Sequence, residues 1–299
     1  MGGCSSTFSH QGYRYNSGAT TLAGYENGHS VKKMFDTLGI TPDLIETDPG
    51  IVSVQKGKQV KRYRDLDRFL VELDAAYPHS KNRAFWTLVH EIGDTFYHHN
   101  GFYYSNRSLF SKLRSLMSYL PLFLKFKKYL FINAYDFINK YFGEISEEYL
   151  NFIEAQLMIV AQAKSREVNF FTAALSLGYT FNQTHYVKGG FDTLFEQIIA
   201  KVKDVRKNCL VEKIEKNDNH YIIYTKDEII KAKKVIMNAT VYDSQKYFDA
   251  PEIRSFYSKY EKLNNYQSSF MLYMTIKSDV VFHHHYQIIE EERFPHTLS

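Results

Sequence analysis

Glycine is scarce in this chain, at 15 of 299 residues, below the usual ~7%. The places where it gathers with other small residues are therefore the first candidates for chemistry. Two lie near the start, Gly2-Gly3-Cys4-Ser5 and Gly18-Ala19-Thr20. Small side chains leave backbone N–H groups open to an anion such as a phosphate. A third cluster, Asn238-Ala239-Thr240, follows the apolar run Val235-Ile236-Met237. Small residues at the C-terminal end of a buried parallel strand suit close approach of a ligand. A fourth, Gly189-Gly190, precedes an amphipathic helix and reads as a helix-start turn that lets the helix pack closely.

Other reactive side chains assemble less well. His283-His284-His285 alternate faces on a strand and make a poor ligand set. His90-Glu91 and His98-His99 do not form an H-E-x-x-H motif, because residue 94 is Asp, and they read as solvated helix residues. Cys4 could be imagined as a low-pKa thiol near a phosphate, but it reads better as one more small residue. No Ser/His/Asp triad follows from spacing, so the catalytic residues stay unknown and no metal site is expected.

The elements that must position these groups show in the periodicity. Val31, Met34, Phe35 and Leu38 predict a helix that Gly39 stops. Residues 40–64 read as short strands around a Lys56-Gly57-Lys58 turn. Asp65 caps a helix carrying Leu66, Phe69, Leu70 and Leu73 on one face. A second helix runs from Lys81 to His98, and Ser146 caps a third that reaches Gln162. Beyond Gly190 comes a helix, then strands at Cys209–Glu215, Tyr221–Thr225 and Ile229–Ala232, and then a buried strand at Val235–Met237.

Composition bounds the partners. The 37 basic and 33 acidic side chains leave a net charge of +4, too weak a bias for nucleic acid. No apolar run reaches the ~18–20 residues that span a bilayer. The opening residues lack the basic and apolar regions of a signal peptide. Two cysteines, Cys4 and Cys209, make no disulfide framework, so a reducing cytoplasm is the expected compartment. The 24 Tyr, 23 Phe and one Trp suggest a large aromatic-lined interior.

Residues 95–135 stand apart. They hold no Asp or Glu against six basic residues, Arg107, Lys112, Arg114, Lys125, Lys127 and Lys128, among many Leu, Phe and Tyr. The plainer reading is a solvated basic helix pair packed on the core. The functional reading is a peripheral contact with the inner face of a membrane.

The order of motifs is Gly-Gly-x-Ser-x-x-Phe, Gly-Tyr-Arg-Tyr-x-x-Gly-Ala-Thr, Tyr-x-x-Gly-Gly before a helix, and Asn-Ala-Thr. This set resembles the phytoene desaturase and carotenoid (prolycopene) isomerase group of FAD-dependent oxidoreductases, with its closest likeness to the isomerase branch. Tyr77-Pro78-His79, Ser268-Ser269-Phe270 with Tyr273, and His283 to Ile289 add to it. The resemblance implies an α/β fold in which a partial Rossmann-type FAD-binding domain, residues 1–40 and 183–245, is interleaved with an α+β substrate domain, residues 41–182 and 246–299.

It implies FAD as the cofactor, passing Gly2, Gly3 and Ser5 with its pyrophosphate and ribose and lying near Gly18, Ala19 and Thr20 with its flavin. Val211 matches a backbone contact to the adenine, and Ala239 and Thr240 match the strand end beside the dinucleotide. It further implies an apolar polyene or isoprenoid substrate that is desaturated or isomerised. A lipid-binding module of the same fold without catalysis, and an amine-oxidase-like flavoenzyme, are the alternatives; a pocket without an acidic or polar anchor would count against the amine. The family's opening strand, G-x-G-x-x-G turn and acidic strand end are not in this sequence, nor is its last FAD-contacting segment. The expectation is an internal fragment or truncated product whose upstream DNA encodes that opening, and which by itself holds FAD poorly or not at all.

Overall fold

A computed structural model describes residues 2–99, 108–263 and 270–290. Arg107, Ser268-Ser269 and the closing stretch from Phe294 lie outside them. The chain divides into two compact units: Cys4–Gln197 with Ile276–Ser299, and Met1–Gly3 with Ile198–Thr275.

The larger unit begins with an antiparallel hairpin, β1 (Thr7–His10) and β2 (Tyr13–Asn16). There follow β3 (Leu22–Ala23), α1 (Ser30–Leu38) and β4 (Leu44–Glu46). Gly39 ends α1 in the left-handed conformation at φ 61°, which an L side chain rarely adopts. Next, β5 (Ile51–Gln55) and β6 (Lys58–Arg62) pair across the expected Lys56-Gly57 turn. Both turn residues have positive φ, which matches the twist of the flanking strands.

A helical layer follows: α2 (Leu66–Ala76), α3 (Asn82–Tyr97), α4 (Leu109–Leu130), α5 (Ala134–Phe142), α6 (Glu147–Val160) and α7 (Phe170–Leu177). The Asp65 carboxylate accepts from the Arg68 N–H and the Ser146 hydroxyl from the Tyr149 N–H, so both expected caps form. Then come β7 (Thr184–Val187) and α8 (Phe191–Ile199). The smaller unit holds the meander β8 (Val211–Lys216), β9 (Tyr221–Thr225) and β10 (Ile229–Ala232), followed by α9 (Pro251–Ser258). Finally β11 (Tyr286–Ile289) rejoins the larger unit, parallel to β5.

The described residues thus form a mixed α/β fold with small sheets ordered β3-β7-β4, β11-β5-β6 and β8-β9-β10, besides the first hairpin. The core gathers where the helical layer meets the β11-β5-β6 sheet, around Phe69, Phe85, Trp86, Phe152 and Phe170. Rings there meet edge to face at Phe69–Trp86 (4.9 Å), tilted at Phe85–Phe142 (4.8 Å) and stacked at Tyr77–Tyr149 (5.3 Å). Much of the aromatic load is therefore spent on filling this interior.

One expected element does not form. Val235-Ile236-Met237 is not a strand, and Ile236 is 93% exposed. A buried parallel strand must have its N–H and C=O groups paired on both sides. Among the described residues no strand lies beside this run.

Candidate functional site

Two of the small-residue segments meet in the larger unit. The Ala19 N–H donates to the Cys4 carbonyl and the Ser17 N–H to the Ser6 carbonyl, both at 2.8 Å. The Ser6 and Ser17 hydroxyls lie 2.8 Å apart. A Cβ on Gly18 would sit 2.5 Å from the Cys4 carbonyl oxygen, so only glycine permits the approach. Ser5 is half-buried, while Gly18, Ala19 and Thr20 are exposed. Above Gly3, at φ 56°, there is open space where a side chain would project.

The α8 start leans on the same hairpin. Gly190 has φ 95°, and a Cβ there would lie 2.6 Å from the Thr7 methyl. Thr7 Oγ1 donates to Asn16 Oδ1 at 2.8 Å, and Arg14 on β2 pairs with Asp192. Gly190 thus serves close packing, as its place before the helix predicts.

The remaining sequence candidates belong to the smaller unit. Gly2 and Gly3 group there, with Val211, Ala239 and Thr240. Val211 opens β8 opposite Thr225, next to a bulge. The Thr240 carbonyl accepts from the Asp243 and Ser244 N–H groups, both at 3.1 Å, and so starts a turn. Gly2, Gly3, Ala239 and Thr240 are exposed.

A second feature of the larger unit escaped the sequence. A cavity of about 580 Å³ is walled by the carboxylates of Glu26, Glu46, Asp48, Asp65 and Asp94, with Arg64, His90, His98 and Phe181. Arg64 reaches Glu26 at 3.4 Å and Glu46 at 3.6 Å, and its N–H donates to Asp48 at 3.0 Å. Asp48 also takes Arg68 at 3.3 Å, and Glu26 accepts from the Gln183 N–H. The acids outnumber the cations, so the cavity favours a positively charged guest. Its walls come from five stretches of chain spread between Glu26 and Asn182, and no local spacing announces them. Phe181 is the one Phe, Tyr or Trp among the lining residues. Among the described residues no group of three His, Cys, Asp or Glu could hold a metal ion.

Behind the wall, His29 is 2% exposed and neither ring nitrogen has a hydrogen-bond partner. Its ring stacks on Tyr97 at 5.7 Å and meets His98 edge-on at 5.0 Å. Burial holds its pKa below the ordinary 6.5, outweighing the pull of Glu26. Because the unfolded chain then binds the proton more tightly, the stabilising effect is complete above pH 6.5 and is lost as pH falls through the lower folded value. The thermal midpoint is expected to drop with acidification across that range, and His29→Phe to flatten the drop. Equal slopes in calorimetric scans of the two proteins would refute this.

Arg62 at the end of β6 is fully buried and, among the described residues, pairs with no carboxylate. It donates to Gln156 Oε1 (2.8 Å), the Leu177 carbonyl (2.5 Å) and Thr180 Oγ1 (2.9 Å). Its guanidinium lies 4.6 Å from the Phe69 ring centre and 4.8 Å from that of Trp86, a cation–π contact with both. Desolvation brings its pKa down to about 10, so it remains a cation at neutral pH.

No family model and no curated protein matches the chain. Solved structures match in fold. The PF1083 protein from Pyrococcus furiosus aligns with a TM-score of 0.54 at 15% identity, over 89% of this chain and 57% of its own. Wild-type putrescine oxidase bound to putrescine aligns with a TM-score of 0.52 at 12% identity, over 83% of this chain and 53% of its own. The chain shares their fold. It spans about half the length of the solved structures it matches.

Proposed function

We propose that this chain belongs to an FAD-dependent oxidoreductase that desaturates or isomerises a long apolar polyene. The observation that carries the reading is the Cys4–Gly18 contact, which only a glycine at position 18 permits. These residues fit a dinucleotide: they are small, exposed and tied to one another. The fold shared with putrescine oxidase supports an oxidoreductase, and the ordered motifs support the polyene.

In this reading residues 1–40 and 183–245 form a partial Rossmann-type FAD-binding domain, and residues 41–182 and 246–299 a substrate domain. Gly2, Gly3 and Ser5 present backbone N–H groups to the pyrophosphate and ribose. Gly18, Ala19 and Thr20 flank the flavin, Val211 meets the adenine, and Ala239 and Thr240 border the dinucleotide. Bound there, the flavin supplies the two-electron chemistry.

Titration of FAD fluorescence tests this. The expected result is a saturable quench that ADP competes, weak enough to wash off on desalting, and lost in Gly18→Ala. A quench that ADP does not compete, or that Gly18→Ala leaves intact in folded protein, would overturn the reading.

The acid-walled cavity favours a second reading, an amine-oxidase-like enzyme with a cationic substrate. A diamine that raises the thermal midpoint, and fails to do so after Glu46→Gln with Asp48→Asn, would support the amine over the polyene.

A further inference from the structure

Helix α4 is apolar on two opposite sides, and the core covers one of them. Ser115, Leu122, Phe126 and Tyr129 are buried. At 3.6 residues per turn, these lie on one side of the helix. Leu109, Leu113, Leu116, Leu120 and Leu124 recur at spacings of four, three, four and four, which places them on the far side. Phe110 and Met117 widen that stripe. Six of these seven, all but Leu120, are 55–84% exposed.

The charges around the stripe have one sign. Lys112 borders it on one flank, and Arg114 and Lys125 on the other, while Lys127 and Lys128 end the helix. The 22 residues include no acid. Lys125 pairs with Glu91 at 3.0 Å on the core-ward side, and Lys128 lies over the Tyr129 ring at 4.6 Å. Lys112, Lys127 and Lys128 are exposed.

We infer that α4 docks the protein on an anionic lipid bilayer, lying flat in the interface with its leucine stripe among the acyl chains and its lysines at the headgroups. Three arguments select a bilayer. The stripe runs about 22 Å at 1.5 Å per residue, and all of it but Leu124 precedes Pro121, the one proline in the helix, so it can lie along a surface. Among the described residues no helix is long and apolar enough to cross a membrane, so α4 lies on the bilayer rather than through it. A two-fold contact with a second copy of the same face would set lysines against lysines with no acid on the helix to pair them. The inference stands on this helix alone and does not depend on the chemistry proposed above.

The test uses the full 299-residue chain and sedimentation with two kinds of vesicle, phosphatidylcholine alone and phosphatidylcholine with phosphatidylglycerol. The protein is expected to pellet with the anionic vesicles and to be released as salt is raised. Each lysine near an anionic surface is worth roughly fivefold in partitioning, so Lys112→Glu, Lys127→Glu and Lys128→Glu together are expected to weaken binding at least tenfold. Leu113→Gln with Leu116→Gln tests the apolar share; both side chains are exposed, so circular dichroism and the thermal midpoint should be unchanged. Failure of the chain to pellet, or pelleting that neither variant weakens, overturns the inference. So does a lipid-free dimer, seen by analytical ultracentrifugation, that Leu113→Gln with Leu116→Gln dissolves.

Discussion

Arg62→Met is expected to lower the stability of the larger unit by about 3 kcal/mol. The guanidinium donates to Gln156 Oε1, to the Leu177 carbonyl and to the Thr180 hydroxyl. Methionine fills much of the volume and removes the desolvated charge, which offsets part of the loss. It leaves three buried acceptors short of a donor, at about 1–3 kcal/mol for each group that stays unpaired. The rings of Phe69 and Trp86 lose their cation as well. Trp86 is the single tryptophan, so its emission reports this locus directly. The measurement is urea unfolding followed by that emission. Arg62→Lys keeps the charge but loses the forked donor set, and is expected to recover only part of the difference. A midpoint unchanged in Arg62→Met would show that the interior does not rely on this cation.

Gly190→Ala is expected to destabilise by about 2–3 kcal/mol, from two sources that can be separated. One is backbone strain, since φ is 95°. The other is collision, since the new Cβ meets the Thr7 Cγ2 at 2.6 Å, its Oγ1 at 2.7 Å and its Cβ at 3.1 Å. Thr7 is held on β1 opposite Asn16 and cannot turn away without giving up its hydrogen bond to that residue. In a Thr7→Gly background the collision vanishes and the strain stays, so the penalty should shrink without disappearing. A double-mutant cycle by chemical denaturation reads the difference as a coupling. Zero coupling would mean that α8 does not press on the hairpin. Because Asp192 on α8 also pairs with Arg14 on β2, the same substitution is expected to loosen residues 4–19.

Short-range physics was legible in the sequence. Asp65 and Ser146 cap their helices because a side-chain oxygen reaches an N–H three residues on, whatever lies beyond. The Lys56-Gly57 turn, the stop at Gly39 and the three-stranded meander likewise follow from residues near in sequence. The small-residue clusters were legible as candidates. That Gly18 touches Cys4 was not, since it depends on how the β1–β2 hairpin closes.

Tertiary structure decided the rest, wherever the outcome rests on distant partners. Arg62 reads as an ordinary strand-end cation and becomes a core residue only because Gln156, Leu177 and Thr180 arrive from elsewhere in the chain. The cavity gathers carboxylates from Glu26 to Asp94, spaced by no motif. Val235–Met237 has the composition of a buried strand, but no strand lies beside it among the described residues, and backbone groups without neighbours make no sheet. Helix α4 carries leucines and aromatics on both sides, so its periodicity alone could not say which side faces inward. Packing of Leu122, Phe126 and Tyr129 into the core selected one, and left the leucine stripe outside.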